Sequence, residues 1–130
     1  MSEAARGVSD AIEPFEIRVE DAVLADLQER LARTRIPDQL PDTGWEYGMP
    51  AGYLAELVGY WHDTYDWRTQ EARLNRVPQY RTEIDGQPVH FLHVRSRHAG
   101  ARPVLLLHGW PGSVVEFLAV IDPLTDPEAH

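Results

Sequence analysis

Residues His108 to Ser113 read HGWPGS and follow directly on the apolar run Val104, Leu105, Leu106, Leu107. A sharp turn from a buried strand into the next helix leaves a peptide N–H outside the hydrogen-bond ladder, as a fixed dipole open to negative charge. Aimed at the oxygen of a tetrahedral intermediate in a water-excluded site, one such donor contributes roughly 2.7–4 kcal/mol to transition-state stabilisation. Here Gly109 and Gly112 let the backbone bend, and the N–H of Trp110 is the group that can point inward instead of pairing in a sheet. The plain alternative is a turn without chemistry that leads into a capped helix, because Ser113 and Glu116 stand three apart as a capping box does. The apolar strand before it and the hairpin signal further upstream favour the oxyanion reading.

Other chemistry-bearing residues yield less. The chain has no cysteine, which excludes disulfides, thiolate nucleophiles and Cys-type zinc sites. His90 and His93 are three apart on an expected strand, so they face opposite sides and cannot share an ion. Asp66 and Glu71 read as solvated charges on a short helix. Ser113 lacks a base and occupies a cap position, which argues against a nucleophile. No phosphate loop or metal cluster is present in the sequence, and no cofactor is expected.

Length and composition bound the setting. A chain of 130 residues fits one domain, with 43% hydrophobic and 25% charged residues as in globular proteins. The formal charge of −9, with 12 Lys and Arg scattered among 21 Asp and Glu, argues against nucleic acid as a partner. No segment has the apolar core of a signal peptide or the length of a membrane span, so a soluble, cytoplasmic protein is expected.

The elements that must position the turn follow from periodicity. Residues 1–11 are small, polar and charged and are expected to be a flexible tail. Phe15, Ile17 and Val19 alternate with charged residues, as an extended segment would. Asp21 offers an N-cap to a helix whose apolar face is Val23, Leu24, Leu27 and Leu31. Residues 34–50 carry Pro37, Pro41 and Pro50 and form a long loop that Trp45 and Tyr47 are expected to anchor. A second helix places Leu54, Leu57, Val58, Trp61 and Tyr65 along one side, and Asp66 caps a short continuation that ends before Pro78.

After Pro78 the period becomes that of strands. Tyr80, Thr82 and Ile84 alternate with polar residues, Asp85-Gly86 supplies a tight turn, and Val89 to Val94 runs back. Pro103 to Leu107 reads as a parallel strand buried on both faces, and a helix follows Ser113. The organisation changes near Pro78, giving a helical region over 12–78 and the start of an α/β sheet over 79–130.

Two stretches together carry a family resemblance. YRTEIDGQPVHFLHVRS, from Tyr80 to Ser96, and PVLLLHGWPGSVVEFL, from Pro103 to Leu118, closely resemble epoxide hydrolases of the microsomal and juvenile-hormone type. Upstream, PFEIRVEDAVLADLQERLARTRIPD and WEYGMPAGYLAELVGYWHDTYDWRTQEARLN look like that family's N-terminal domain, which packs around the hydrolase core. The resemblance implies an α/β-hydrolase fold of which this chain holds the helical N-terminal region, the first three strands and the first helix. It also implies a covalent mechanism. An aspartate attacks a small hydrophobic epoxide while lid tyrosines donate to its oxygen, and a histidine with an acidic partner activates water to hydrolyse the ester to a vicinal diol. By this resemblance the Trp110 N–H holds the carboxylate oxygen, His108 braces a loop that includes Gly109, Pro111 and Gly112, and Pro111 is expected to be cis.

The family's nucleophile occupies a small-x-Asp-x-small turn, and the 130 residues contain none, nor lid, base or acid. The chain is therefore expected to be inactive alone, as a truncated enzyme or one completed by another polypeptide, and the partner expectation is association with a complementary hydrolase fragment or as a homo-oligomer. Two other classes stay open: a non-catalytic interaction module, and a different α/β-hydrolase activity such as that of an esterase or dehalogenase.

Overall fold

The computed structural model describes residues 11–130. The expected tail over residues 1–11 lies outside them except for Ala11. In chain order the elements are strand β1 (Glu13–Phe15), helices α1 (Asp21–Ala32), α2 (Ala51–Asp63) and α3 (Trp67–Leu74), strands β2 (Gln79–Ile84) and β3 (Gln87–Leu92), and helix α4 (Leu118–Thr125). Single 3-10 turns occur at Trp45–Tyr47 and Val114–Phe117. The described residues divide into two compact units, 18–70 and the combination of 11–17 with 71–130.

The second of these units contains the sheet, in the order β1-β2-β3 with both pairings antiparallel. Asp85 (φ 52°) and Gly86 (φ 78°) both adopt the left-handed conformation that a two-residue hairpin requires, so Ile84 pairs directly with Gln87. Pro88 has no N–H and is accommodated because β3 is an edge strand of this sheet. One face places Phe15 edge-on to His90, with the Arg81 guanidinium 3.7 Å from the Phe15 ring centroid. The other face stacks Tyr80 on Phe91 and brings His93 against Tyr80. His90 and His93 thus lie on opposite faces, as their spacing requires.

Two amides tie β1 to the hairpin. Asn75 accepts from the Ile17 N–H (2.9 Å) and donates to the Ile17 carbonyl (2.8 Å), acting as a one-residue substitute for a strand partner. Gln79 is 5% exposed and donates to the Leu74 carbonyl and to Asn75 Oδ1, while its own oxygen lies 2.8 Å from His90 Nε2. Every polar atom of this small buried cluster is satisfied, which is what makes such a cluster specify one arrangement. Glu71, expected as a solvated helical charge, is buried instead. It shares the inward face of its helix with Leu74 and Asn75, one turn further on.

Unit 18–70 is a helical pair with a structured loop. Helix α1 faces α2 through Leu24, Leu27 and Leu31, whereas Val23 is exposed. Asp21 is the first helical residue and not the cap; Glu20 holds that position without a side-chain bond, and the Asp21 carboxylate pairs with Arg68. The less exposed side of α2 carries Leu54, Val58, Gly59 and His62, while Leu57 and Trp61, expected among the inward residues, remain exposed. Asp66 caps the next helix as expected, accepting from the Arg68 N–H at 3.0 Å and the Thr69 hydroxyl at 2.5 Å. The proline-rich loop is held differently from the expectation. Trp45 packs on Tyr53 with ring centroids 5.1 Å apart, but Tyr47 is largely exposed. Gln39 takes over, donating to the Thr43 carbonyl and accepting from the Ala51 N–H at 2.7 Å.

The expected parallel strand at 103–107 is not formed. No ladder includes these residues, and Leu105 and Leu107 are 81% and 80% exposed. A strand exists only where a neighbour supplies donors and acceptors, and the sheet of the described residues ends at β1 and β3 without reaching this run. Among apolar side chains of the described residues, only Leu31 is buried.

Candidate oxyanion loop

The loop is built by its own backbone. The Gly112 N–H donates to the Gly109 carbonyl at 2.7 Å, closing a tight turn around Trp110 and Pro111, whose connecting peptide bond is cis. A Cβ on Gly112 would lie 2.9 Å from the Gly109 oxygen, closer than real Cβ contacts come, so this glycine is demanded by the turn. Gly109 is different. A Cβ there meets open space and its φ is not left-handed, so the bend does not depend on it. His108 Nδ1 lies 3.3 Å from the carbonyl of Gly109, the one polar contact that joins this ring to the loop.

On the far side of the turn, Ser113 has extended backbone and its hydroxyl accepts from the Val115 N–H at 3.3 Å. The Glu116 N–H bonds the Ser113 carbonyl instead of its side chain, so a 3-10 turn opens the helical segment. The Glu116 carboxylate leans over Gly112. The capping box is therefore half made: the serine caps, and the glutamate turns toward the loop. Regular α-helix begins only at Leu118.

The Trp110 amide has no hydrogen-bond partner among the described residues, in a ladder or elsewhere, and Trp110 is 96% exposed. It thus keeps its donor capacity unspent. Two hollows of about 200 and 440 Å³ are lined by residues between Leu31 and His62, none of them from the loop 108–113. Those hollows provide no wall against the Trp110 amide, and an oxyanion donor has its full strength only where water is excluded.

Electrostatics concentrate on the sheet face. Burial, reinforced by the charge of Arg81, holds the His90 imidazole below its ordinary pKa and favours its neutral form. No group of three or more His, Asp or Glu among the described residues could hold a metal ion. The residues that sequence reasoning passed over are positioning amides, Gln39, Asn75 and Gln79. Their only local signal is an amide side chain beside a loop or helix end, which many solvent-facing residues share.

The family description "Epoxide hydrolase N terminus" matches residues 12–117. The chain is 54% identical over 119 residues to the "Putative epoxide hydrolase" of Stigmatella aurantiaca, covering 92% of this chain and 27% of that protein. It is 37% identical to "Epoxide hydrolase 1" of Sus scrofa, covering 99% and 29%. The solved structure of Aspergillus niger epoxide hydrolase superposes with a TM-score of 0.75 at 36% identity, over 85% of this chain and 29% of that one. The chain belongs to the epoxide hydrolase N-terminal family, and its fold is that of the corresponding part of an α/β-hydrolase. It spans under a third of the length of these relatives.

Proposed function

We propose that this chain supplies the N-terminal region and one oxyanion donor of an epoxide hydrolase acting on small hydrophobic epoxides. The observation that carries the proposal is the Trp110 N–H, left without a partner on a turn closed by Gly112 and Gly109 at the end of an apolar run. Family membership over 12–117 supplies the chemistry such a donor would serve.

In the proposed reaction a carboxylate oxygen forms a bond to an epoxide carbon, that carbon's bond to the ring oxygen breaks, and a donor protonates the oxygen released. Water then adds to the resulting ester carbonyl, and negative charge gathers on the oxygen that faces the Trp110 N–H. Collapse of that intermediate releases the diol and restores the carboxylate. The chain's own part is to hold this amide still before charge develops, so that no reorganisation is needed when it does. Pro111, Gly112 and the carbonyl of Gly109 shape the turn, with the His108 ring beside it. The nucleophile, base, acid and lid are not residues of this sequence.

The test is a fusion of residues 1–130 to the part of the Stigmatella aurantiaca relative that follows its matched segment. Diol formation from an aryl epoxide by the fusion, with negligible turnover by the 130-residue chain, is the expected result. A folded fusion without turnover, or robust turnover by the chain alone, would overturn the proposal.

A further inference from the structure

Residues 99–124 carry the oxyanion loop and nearly all of α4, yet among the described residues no hydrogen bond or ion pair ties them to anything outside 96–128. The segment closes on itself at one place. The Ser96 hydroxyl donates to the Thr125 carbonyl at 2.7 Å, the Arg97 guanidinium donates to Asp126 Oδ1 at 2.7 Å, and His98 Nε2 lies 3.3 Å from the same oxygen. The His98 N–H donates to the Ser96 hydroxyl oxygen at 3.1 Å, so the three consecutive residues are also braced against one another. Thr125 ends α4, where carbonyls have no intrahelical partner and the negative end of the helix dipole favours a cation such as Arg97. Arg97 is largely exposed, so its ion pair alone would add little; the half-buried Ser96 bond to an orphan carbonyl is the firmer grip.

The other end of α4 leads to the loop. Helix α4 continues the 3-10 turn Val114–Phe117 without a break, and that turn is capped by Ser113, the residue after the glycine that closes the loop. From Ser113 to Thr125 this makes a rod of roughly 20 Å, by the rise of the two helix types. Pro123 withholds one N–H from the rod, and the Thr125 hydroxyl braces its last turn by donating to the Ile121 carbonyl at 2.8 Å. We infer that Ser96, Arg97, His98 and Asp126 form a clasp that positions the oxyanion loop, because gripping one end of the rod fixes the direction of the end that carries the Trp110 amide. They are positioning residues, acting on that donor through α4. The inference rests on the proposed function for the reaction it serves, and on the contacts alone for its mechanical part. Closing so long a segment costs chain entropy, and opening the clasp returns that freedom to the loop and spoils the aim of the donor.

Two readouts test the clasp, and one of them needs no turnover. In the 130-residue chain, Ser96→Ala and Asp126→Ala should each lower the order parameter of the Trp110 amide by about 0.1 or more in nitrogen relaxation, while the amides of Arg81 to Ile84 keep theirs. In the fusion described above, each substitution should lower kcat for an aryl epoxide by about tenfold with KM unchanged. The double variant should fall no further than the weaker single one, because both substitutions open the same clasp. Ser96→Thr keeps the hydroxyl and should match the parent. Unchanged Trp110 mobility would overturn the clasp, and so would undiminished kcat in an active fusion. Losses that multiply in the double variant, or that come with equal loosening of Arg81 to Ile84, would mark general destabilisation and overturn it as well. Raised Trp110 mobility in the chain, beside a folded parent fusion that forms no diol, would leave the clasp standing and defeat the proposed function.

Discussion

The hairpin Gln79–Leu92 and the run 103–107 lie in the same unit, ten residues apart, and have opposite fates. The hairpin carries its partner with it: six register pairs follow from a two-residue turn, and β1 adds a third strand through Asn75 and Gln79. The apolar run is more continuously hydrophobic but finds no partner among the described residues, and its leucines stay in solvent. Alternation with a turn specifies a strand that the chain can complete locally. Continuous hydrophobicity specifies one whose neighbours come from far away in sequence, with all the loop-closure entropy that implies.

Hydrogen exchange would sharpen this contrast most. In the isolated chain, amides of Arg81 to Ile84 that pair with β3 should exchange at least on the order of a hundredfold more slowly than those of Val104 to Leu107. In the fusion, the amides of Val104 to Leu107 should become protected. Comparable protection of the two regions in the isolated chain would break the comparison. A smaller effect tests what holds β1 in place. Asn75→Ala leaves the Ile17 N–H and carbonyl and the Gln79 amide short of partners, and should lower unfolding stability by about 1–3 kcal/mol in a denaturant titration. Stability unchanged within error would mean that water replaces Asn75 freely.

Gly86→Ala isolates the turn itself. The added methyl meets open space but is forced to φ 78°, which costs about 1–2 kcal/mol of left-handed strain, read as a lower denaturation midpoint. The smallest expected effect is a pH dependence. With the folded pKa of His90 lowered, the unfolded chain binds its proton first as pH falls through the ordinary value of 6.5. Stability should therefore fall between pH 7.5 and 5.5 by more in the parent than in His90→Gln, as measured by melting temperature. Equal slopes in the two proteins would show that His90 contributes nothing to the pH dependence.

What the sequence made legible follows the same division. The Asp85-Gly86 turn, the helical spacing of Leu24, Leu27 and Leu31, and the Asp66 cap are all encoded within a few residues, and each appears where its pattern places it. The clamp by Asn75 on Ile17 spans 58 residues and has no local pattern, and the burial of Glu71 is likewise set by tertiary packing and not by its neighbours in sequence. Helix α2 is apolar on more than one side, so periodicity alone did not decide which of Leu57, Val58 and Trp61 faces α1. In the loop, Gly112 is demanded by a carbonyl three residues back, a contact that turn composition hints at but does not assign between the two glycines.

If the Trp110 N–H stabilises the charge of the intermediate, removing that one hydrogen is enough to expose its contribution. In the fusion, replacing Trp110 by its α-hydroxy acid converts the amide to an ester while keeping the indole. The expected result is a fall in kcat of about 10²–10³ with the melting temperature preserved. Undiminished turnover by the ester-containing protein would contradict it.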